Sequence, residues 1–335
     1  MNRRHPVQWA TFGVVVLGVL ALALSFLALR GSATVPNAGA TPTLPATPTS
    51  GAPSPGPSGS TPTPSLAPSA SATSDGALGT GLRGRVQPPL TVAGKLAYRA
   101  TTGTCTGGAP STVLRTTDAG RTWGPVGAPA SAVLTLAAGA DQLVAVAAAA
   151  PGITGGGDCT PGRYVLNGPR SWHGPQAAAT SWYREPNDPT KVHTPAGDVL
   201  NPCRDRSVPV VELAGFGPQD TTVLCADGDV FRTRDSGNQW ARLSVVHDAL
   251  ALAWESRSLG WLVVAKSHGC AGLAAARTLD GGITWQRVGC LGSLPGLLAR
   301  RMPVAVDFDG PERGMAVVGD HVFTTRDGGL SWQAA

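Results

Sequence analysis

One short phrase recurs along this chain and limits its fold more than any other feature. Thr116-Thr-Asp118-Ala-Gly120-Arg-Thr122-Trp123 returns as Thr233-Arg-Asp235-Ser-Gly237-Asn-Gln239-Trp240. It returns again as Thr278-Leu-Asp280-Gly-Gly282-Ile-Thr284-Trp285 and as Thr325-Arg-Asp327-Gly-Gly329-Leu-Ser331-Trp332. A worn copy runs from Asn167 to Trp172, with Asn167 in the Asp place and Pro169 in the Gly place. The tryptophans at 123, 172, 240, 285 and 332 lie 49, 68, 45 and 47 residues apart. A period in the forties with short strands predicts propeller blades, small antiparallel sheets repeated radially.

The phrase reads as strand, turn, strand. A short Asp side chain accepts hydrogen bonds from backbone N–H groups just ahead of it in a turn. Gly takes a φ > 0 position without a Cβ clash, and Trp packs the hairpin against its blade. The pattern Ser/Thr-x-Asp-x-Gly-x-Thr-Trp resembles the Asp-box, or BNR repeat, of sialidase-like β-propellers. On this reading Asp118, Gly120, Trp123, Asp235, Gly237, Trp240, Asp280, Gly282, Trp285, Asp327, Gly329 and Trp332 are structural, and none of these aspartates is catalytic.

The expected fold is all-β: a β-propeller of four-stranded antiparallel blades over residues 82–335, five recognisable and six possible. Residues 249–254, 260–265, 273–278 and 284–288 read as one blade. Residues 304–308, 314–318, 321–325 and 331–333 read as the next. Asp227-Gly228 and Gly319-Asp320 are hairpin signals between second and third strands. The gap of 68 residues holds about 20 more than a blade needs. Residues 177–206 are a long loop or a degenerate sixth blade; five blades plus an insertion is the favoured reading.

The N-terminus has a different character. Residues 1–8 carry Arg3, Arg4 and His5, and residues 9–29 follow without a charge. At about 1.5 Å per residue they span about 30 Å, one hydrocarbon core, which predicts a transmembrane helix. The positive flank predicts a single-pass protein of the cell membrane, N-terminus inside and propeller on the extracytoplasmic side. The alternative is a cleaved signal peptide, although the nearest small-x-small site, Ala38-Gly-Ala40, lies well past the apolar run. Residues 30–81 are rich in Pro, Ser, Thr and Ala, with Asp75 the only acidic residue. They predict a disordered linker, stiffened toward polyproline II, that holds the domain off the bilayer.

A net charge of +5, partly from the membrane flank, is too mild for a nucleic-acid stripe. Six cysteines, all after the apolar segment, suggest disulfides on the exported side. Cys270 with Cys290 is the best pair; Cys203 with Cys225 and Cys105 with Cys159 follow by neighbourhood. There is no Cys-x-x-Cys, so zinc or redox chemistry at these cysteines is not expected.

Sialidases share the Asp-box but work at a separate central site, with an arginine cluster, a Tyr–Glu nucleophile pair and an Asp acid. The Arg-Ile-Pro strand that usually supplies the first arginine is absent here, and Arg85-Val-Gln-Pro88 is a poor match. Tyr183-Arg184-Glu185 gathers three suitable groups, but neighbours in a strand point to opposite faces. Related propellers without the sialidase site, the sortilin-type domains and the photosystem II assembly factor, serve as binding bodies. The most individual stretch is the insertion, where Trp182, Tyr183, Arg184, Glu185, Lys191 and His193 are candidates for a ligand or partner patch. Its plainer reading is a long loop pinned by Cys203. His193 has no partner at metal-ligand spacing. Asp307-Phe-Asp309-Gly310 resembles a calcium loop but lacks the third acid and the distal Glu, so it reads as a strand turn. No metal or cofactor is expected. The expected function is a non-catalytic binding or assembly scaffold for a protein or cell-envelope glycan; the alternative is a sialidase-like glycan hydrolase, and a purely structural envelope component is a third class.

Overall fold

The computed structural model describes residues 86–101, 103–105, 109–139, 142–149, 159–203, 208–265, 269–292, 294 and 301–335. The expected N-terminal residues 1–8, membrane helix 9–29 and linker 30–81 lie outside them. Among the described residues no helix is long and apolar enough to cross a membrane.

The described strands form six antiparallel sheets, taken in chain order. The first holds β1 (Leu90–Ala93), β2 (Leu96–Ala100), β3 (Val113–Thr116) and β4 (Gly124–Pro125). The second holds β5 (Ala132–Ala138), β6 (Leu143–Ala148), β7 (Pro161–Asn167) and β8 (Ser171–Ala177). The third has three strands, β9 (Tyr183–Arg184), β10 (Lys191–Thr194) and β11 (Gly197–Leu200). The fourth holds β12 (Val210–Gly215), β13 (Thr221–Cys225), β14 (Asp229–Thr233) and β15 (Ala241–Val245). The fifth holds β16 (Ala249–Trp254), β17 (Gly260–Val264), β18 (Ala274–Thr278) and β19 (Gln286–Cys290). The sixth holds β20 (Val304–Asp309), β21 (Arg313–Val318), β22 (His321–Thr325) and β23 (Gln333–Ala334).

The first strand of each sheet faces the centre. β1 packs beside β5 and β20, β9 beside β5 and β12, and β16 beside β12 and β20, so the chain is a closed six-bladed propeller. The favoured count of five blades plus an insertion is thus corrected, because the insertion pairs into a sheet of its own. Position in the blade sets residue choice. The second strands β13 and β17, covered by blades on both sides, are buried at every residue and read as near-continuous apolar runs. The outer strands β15 and β19 have no fully buried residue and read as polar.

Four corners of one design join third to fourth strands. In each, the first Thr is buried and its hydroxyl accepts the N–H of the Gly four residues on, at 3.0 Å for Thr116–Gly120 and 2.9 Å for Thr278–Gly282. The same hydroxyl donates to the corner Asp, at 2.7 Å in Asp118 and 2.8 Å in Asp280. The Asp in turn accepts the N–H of the residue four ahead. These bonds, led by those from Thr122 and Thr284, hold the Asp118 and Asp280 carboxyls down at about 2. The indole N–H of Trp123, Trp285 and Trp332 returns to the corner Gly carbonyl. The corner Gly has φ between +86° and +94°, and its missing Cβ leaves room for the preceding blade. A Cβ on Gly120 would lie 2.6 Å from Val322, and one on Gly237 2.6 Å from Val199. In the worn copy β7 and β8 meet in a tight hairpin across Asn167 and Ser171 instead. In the third blade only Thr194 survives, buried and accepting the Ala196 N–H at 3.0 Å.

Among the described residues no strand is exchanged at the closure. Instead Asp307 accepts the Val92 N–H at 2.7 Å and Asp309 the Gly94 N–H at 2.6 Å. Leu90, Val92 and Ala97 bury against Ala305, Met315 and Val317 beside them. The three expected cysteine pairs are present: Cys105–Cys159, Cys203–Cys225 and Cys270–Cys290, with Cα–Cα distances of 5.6, 5.9 and 5.5 Å.

Thr278→Val keeps the shape but leaves the buried Gly282 N–H unpaired, which costs about 1–3 kcal/mol. A lower urea midpoint with an unchanged m-value is expected; equal midpoints would mean that the threonine hydroxyl does not organise the corner.

Candidate functional site

Radial blades leave a central passage that only their first strands and the entering chain can fill. Gln87 crosses it. Its backbone N–H donates to Val211 O at 2.9 Å, and its side-chain oxygen accepts the Leu252 N–H at 2.9 Å. Its amide nitrogen reaches the Leu252 and Val306 carbonyls, each at 3.4 Å. One buried glutamine thus ties the fourth blade through its backbone and the fifth and sixth through its side chain.

Gln87 borders a cavity of about 740 Å3, whose polar and aromatic lining includes Glu212, Asp307, Glu255, Phe216, Trp254 and Trp182. A second cavity of about 590 Å3 lies against Val86 and is lined by Arg184, Glu185, Asn187 and Arg301, among others. β5 and β12 run from the second cavity toward the first. β9 runs the other way, with Trp182 in the first cavity and Arg184 and Glu185 in the second. The third blade therefore presents its inner strand in reverse.

Burial pushes the Glu212 carboxyl up to about 7, against the opposing pull of Arg184 and the Leu213 N–H. Burial likewise pushes Asp307 up to about 7, against the bonds from the Val92 and Phe308 N–H groups; Glu212 and Glu255 add to the rise. The Arg184 guanidinium is enclosed, donates to the Val210 and Val211 carbonyls at 3.3 and 3.0 Å, and has its pKa lowered by burial.

The six residues singled out in the insertion do not form one exposed patch. Trp182 and Tyr183 are buried. The Trp182 indole donates to Gly217 O at 2.7 Å, and Tyr183 stacks on His193 with centroids 4.4 Å apart. Lys191 pairs with Asp188 at 3.1 Å on the surface. The reason is pairing: in a sheet, neighbours alternate between faces, and a ring of blades buries the inner ones. The same pairing gives His193 partners that sequence spacing did not reveal. Its Nδ1 lies 2.7 Å from Asp198 Oδ1 and 3.9 Å from Glu185 Oε1.

Gln87 and Glu212 were not signalled by the sequence, and Asp307 stood out there only as part of a strand turn. An arginine cluster does exist, but at the outer junction of the fourth and fifth blades. There Arg232 binds Asp220 bidentately at 2.8 and 2.9 Å, and Arg257 binds it at 2.7 Å. Burial raises the Asp220 pKa, but the two arginines outweigh it and hold the carboxyl below its usual range. Arg234 shares that shallow pocket, whose described lining contains neither Tyr nor Glu.

The propeller fold is similar to those of YCF48 and of GH74 and GH43 enzymes. No protein-family model and no curated protein matches the sequence. Among solved structures, YCF48 bound to D1 peptide is 20% identical over 37% of this chain and 40% of that one, with a TM-score of 0.29. YCF48 from Cyanidioschyzon merolae is 12% identical over 76% and 85% of the two chains, TM-score 0.29. The Niastella koreensis GH74 enzyme is 15% identical over 73% of this chain and 46% of its own length, TM-score 0.41. The chain thus spans less than half of the first of these and of the GH74 enzyme.

Between the unfolded values of 4.5 and 3.8 and the folded values near 7, Glu212 and Asp307 hold more protons folded than unfolded. Stability therefore falls as pH rises through that window. The melting temperature is expected to drop from pH 5 to pH 8, and a Glu212→Gln, Asp307→Asn double variant to flatten the drop. An equally steep profile in the variant would place the titration elsewhere.

Proposed function

We propose that this chain is a membrane-anchored extracytoplasmic propeller that binds rather than cuts. Its corners are read as Asp-boxes, and its role as a scaffold for a cell-envelope glycan or a protein segment that brings no negative charge. The observation that carries this reading is the lining of the larger axial cavity. Among its described lining residues are Glu212, Glu255 and Asp307, and no arginine, lysine or tyrosine. A sialic acid carboxylate would meet acids there with no guanidinium to hold it. Hydroxyl or ammonium groups would find hydrogen-bond acceptors, with Phe216 and Trp254 offering apolar surface alongside. The apolar segment 9–29, the Pro-rich stretch 30–81 and three disulfides support an exported, tethered domain.

One observation favours a second reading. Two carboxyls near neutrality in one cavity are also what a hydrolase of uncharged glycans uses for general acid–base work. Titration calorimetry on the detergent-purified full chain separates the readings. Uncharged or amine-bearing envelope oligosaccharides are expected to bind, and sialylated ones not. Glu212→Gln should weaken binding about tenfold, the loss of one hydrogen bond to a charged acceptor. Release of new reducing ends, abolished by Glu212→Gln, would replace the scaffold with the hydrolase. Tight binding of sialylated glycans would sink both.

The membrane part has its own check. Proteinase K added to cells with the outer layers opened should degrade the propeller epitope, while carbonate washing leaves the intact chain with the membrane. A protected epitope would reverse the orientation, and carbonate release would remove the anchor.

A further inference from the structure

We propose that the third blade carries a divalent metal site of the zinc class, formed by Glu185, His193 and Asp198. It is separate from the axial acid cavity and does not depend on what that cavity binds.

The register of the smallest sheet creates it. His193 pairs across the β10–β11 hairpin with Asp198, and across β9–β10 with Tyr183. Directly opposed residues share a face, and Glu185, two residues after Tyr183, returns to that same face. Three ligating side chains distant in sequence are thus stacked on one side of three short strands. One donor atom from each lies within 4.8 Å of the other two. With metal–nitrogen and metal–oxygen bonds of about 2.0–2.2 Å, ligand atoms around one ion stand about 3–4 Å apart. The observed 2.7 and 3.9 Å from His193 Nδ1 bracket that spacing, so small rotations of the two carboxyls complete a site.

Two further observations fit a bound cation. The His193 ring is held nearly parallel to Tyr183, at 10° and 4.4 Å, with its Nδ1 toward the acids. Glu185 also lines the second cavity, about 590 Å3, which leaves space for water to complete the coordination sphere.

One imidazole nitrogen and two carboxylate oxygens suit Zn2+, with Mn2+ weaker in the usual affinity order. Ca2+, which takes six to eight oxygens, is disfavoured. The site's role would be structural. The third blade has three strands, the innermost of two residues. An ion joining β9's end to both strands of the outer hairpin would brace it.

The experiment uses the chelator-stripped full chain in detergent. Titration with ZnCl2 is expected to give one equivalent bound and a higher melting temperature, MnCl2 a smaller rise, and CaCl2 none. Asp198→Asn, which keeps a partner for His193, and Glu185→Gln should each lose stoichiometric Zn2+ uptake while their apo melting curves stay cooperative. Failure of the folded wild type to take up Zn2+ would overturn the site. Uptake unchanged in both variants would overturn it equally, by placing the metal elsewhere.

Discussion

The hydrogen bond from each corner glycine to the buried threonine hydroxyl sets where one blade meets the blade before it. With φ near +90° and no Cβ, the glycine lets a neighbouring side chain approach its backbone. Gly120 receives Val322, Gly237 receives Val199, and Gly282 receives Leu243. The Gly120 contact joins the first blade to the sixth, so the device that stacks consecutive blades also helps to seal the ring. Among the described residues nothing covalent and no shared strand does that work. The closure rests on this contact, on the Leu90–Met315 apolar cluster and on the bonds to Asp307 and Asp309. Asp307 therefore has two duties. It tethers the first blade and it faces the axial cavity, so a ligand or proton that changes its charge acts on the seam as well.

The repeat was legible because its physics is local. Thr, Asp, Gly and Trp serve one turn within eight residues, and the strand positions of the last two blades follow directly from it. The cysteine pairs were legible for a related reason, since blade order places 105 near 159 and 203 near 225, and one hairpin places 270 near 290. The third blade was not, because its outer turn kept Thr194 but not the Asp and Trp that announce the others. Asp307 and Asp309 looked like a strand turn, and their true partners lie 215 residues away on the opposite side of the closure. Gln87 was invisible for the same reason: one glutamine before the first strand carries no pattern, and its partners stand 165 and 219 residues off.

The third blade shows how a ring tolerates one poor member. Its inner strand is reversed and two residues long, yet Trp182 and Arg184 reach into the next blade. The Arg184 guanidinium caps carbonyls at the start of β12, and the Cys203–Cys225 bridge ties the blade's exit to β13. Buried, an arginine is tolerable only when its N–H groups are engaged, and here they face backbone acceptors with Glu212 nearby. Trp182 and Arg184, two of the residues that looked like a binding patch, thus help to hold the blade.

Charge selection at the axis follows from the same enclosure. Burial pushes the Glu212 and Asp307 carboxyls up to about 7, because an enclosed carboxylate has little water to solvate its charge. Two unit charges 4 Å apart interact by about 4 kcal/mol at an effective dielectric of about 20. A ligand carboxylate would meet that penalty at each ionised neighbour, or force protonation of the group it approaches. An ammonium group would gain a similar amount and pull both carboxyls back toward ionisation, strengthening the Val92–Asp307 bond at the seam. An uncharged hydroxyl does neither and binds whichever protonation state it finds. A ligand in this cavity would therefore be ranked by charge before shape enters, most steeply above pH 7, where both carboxyls are ionised.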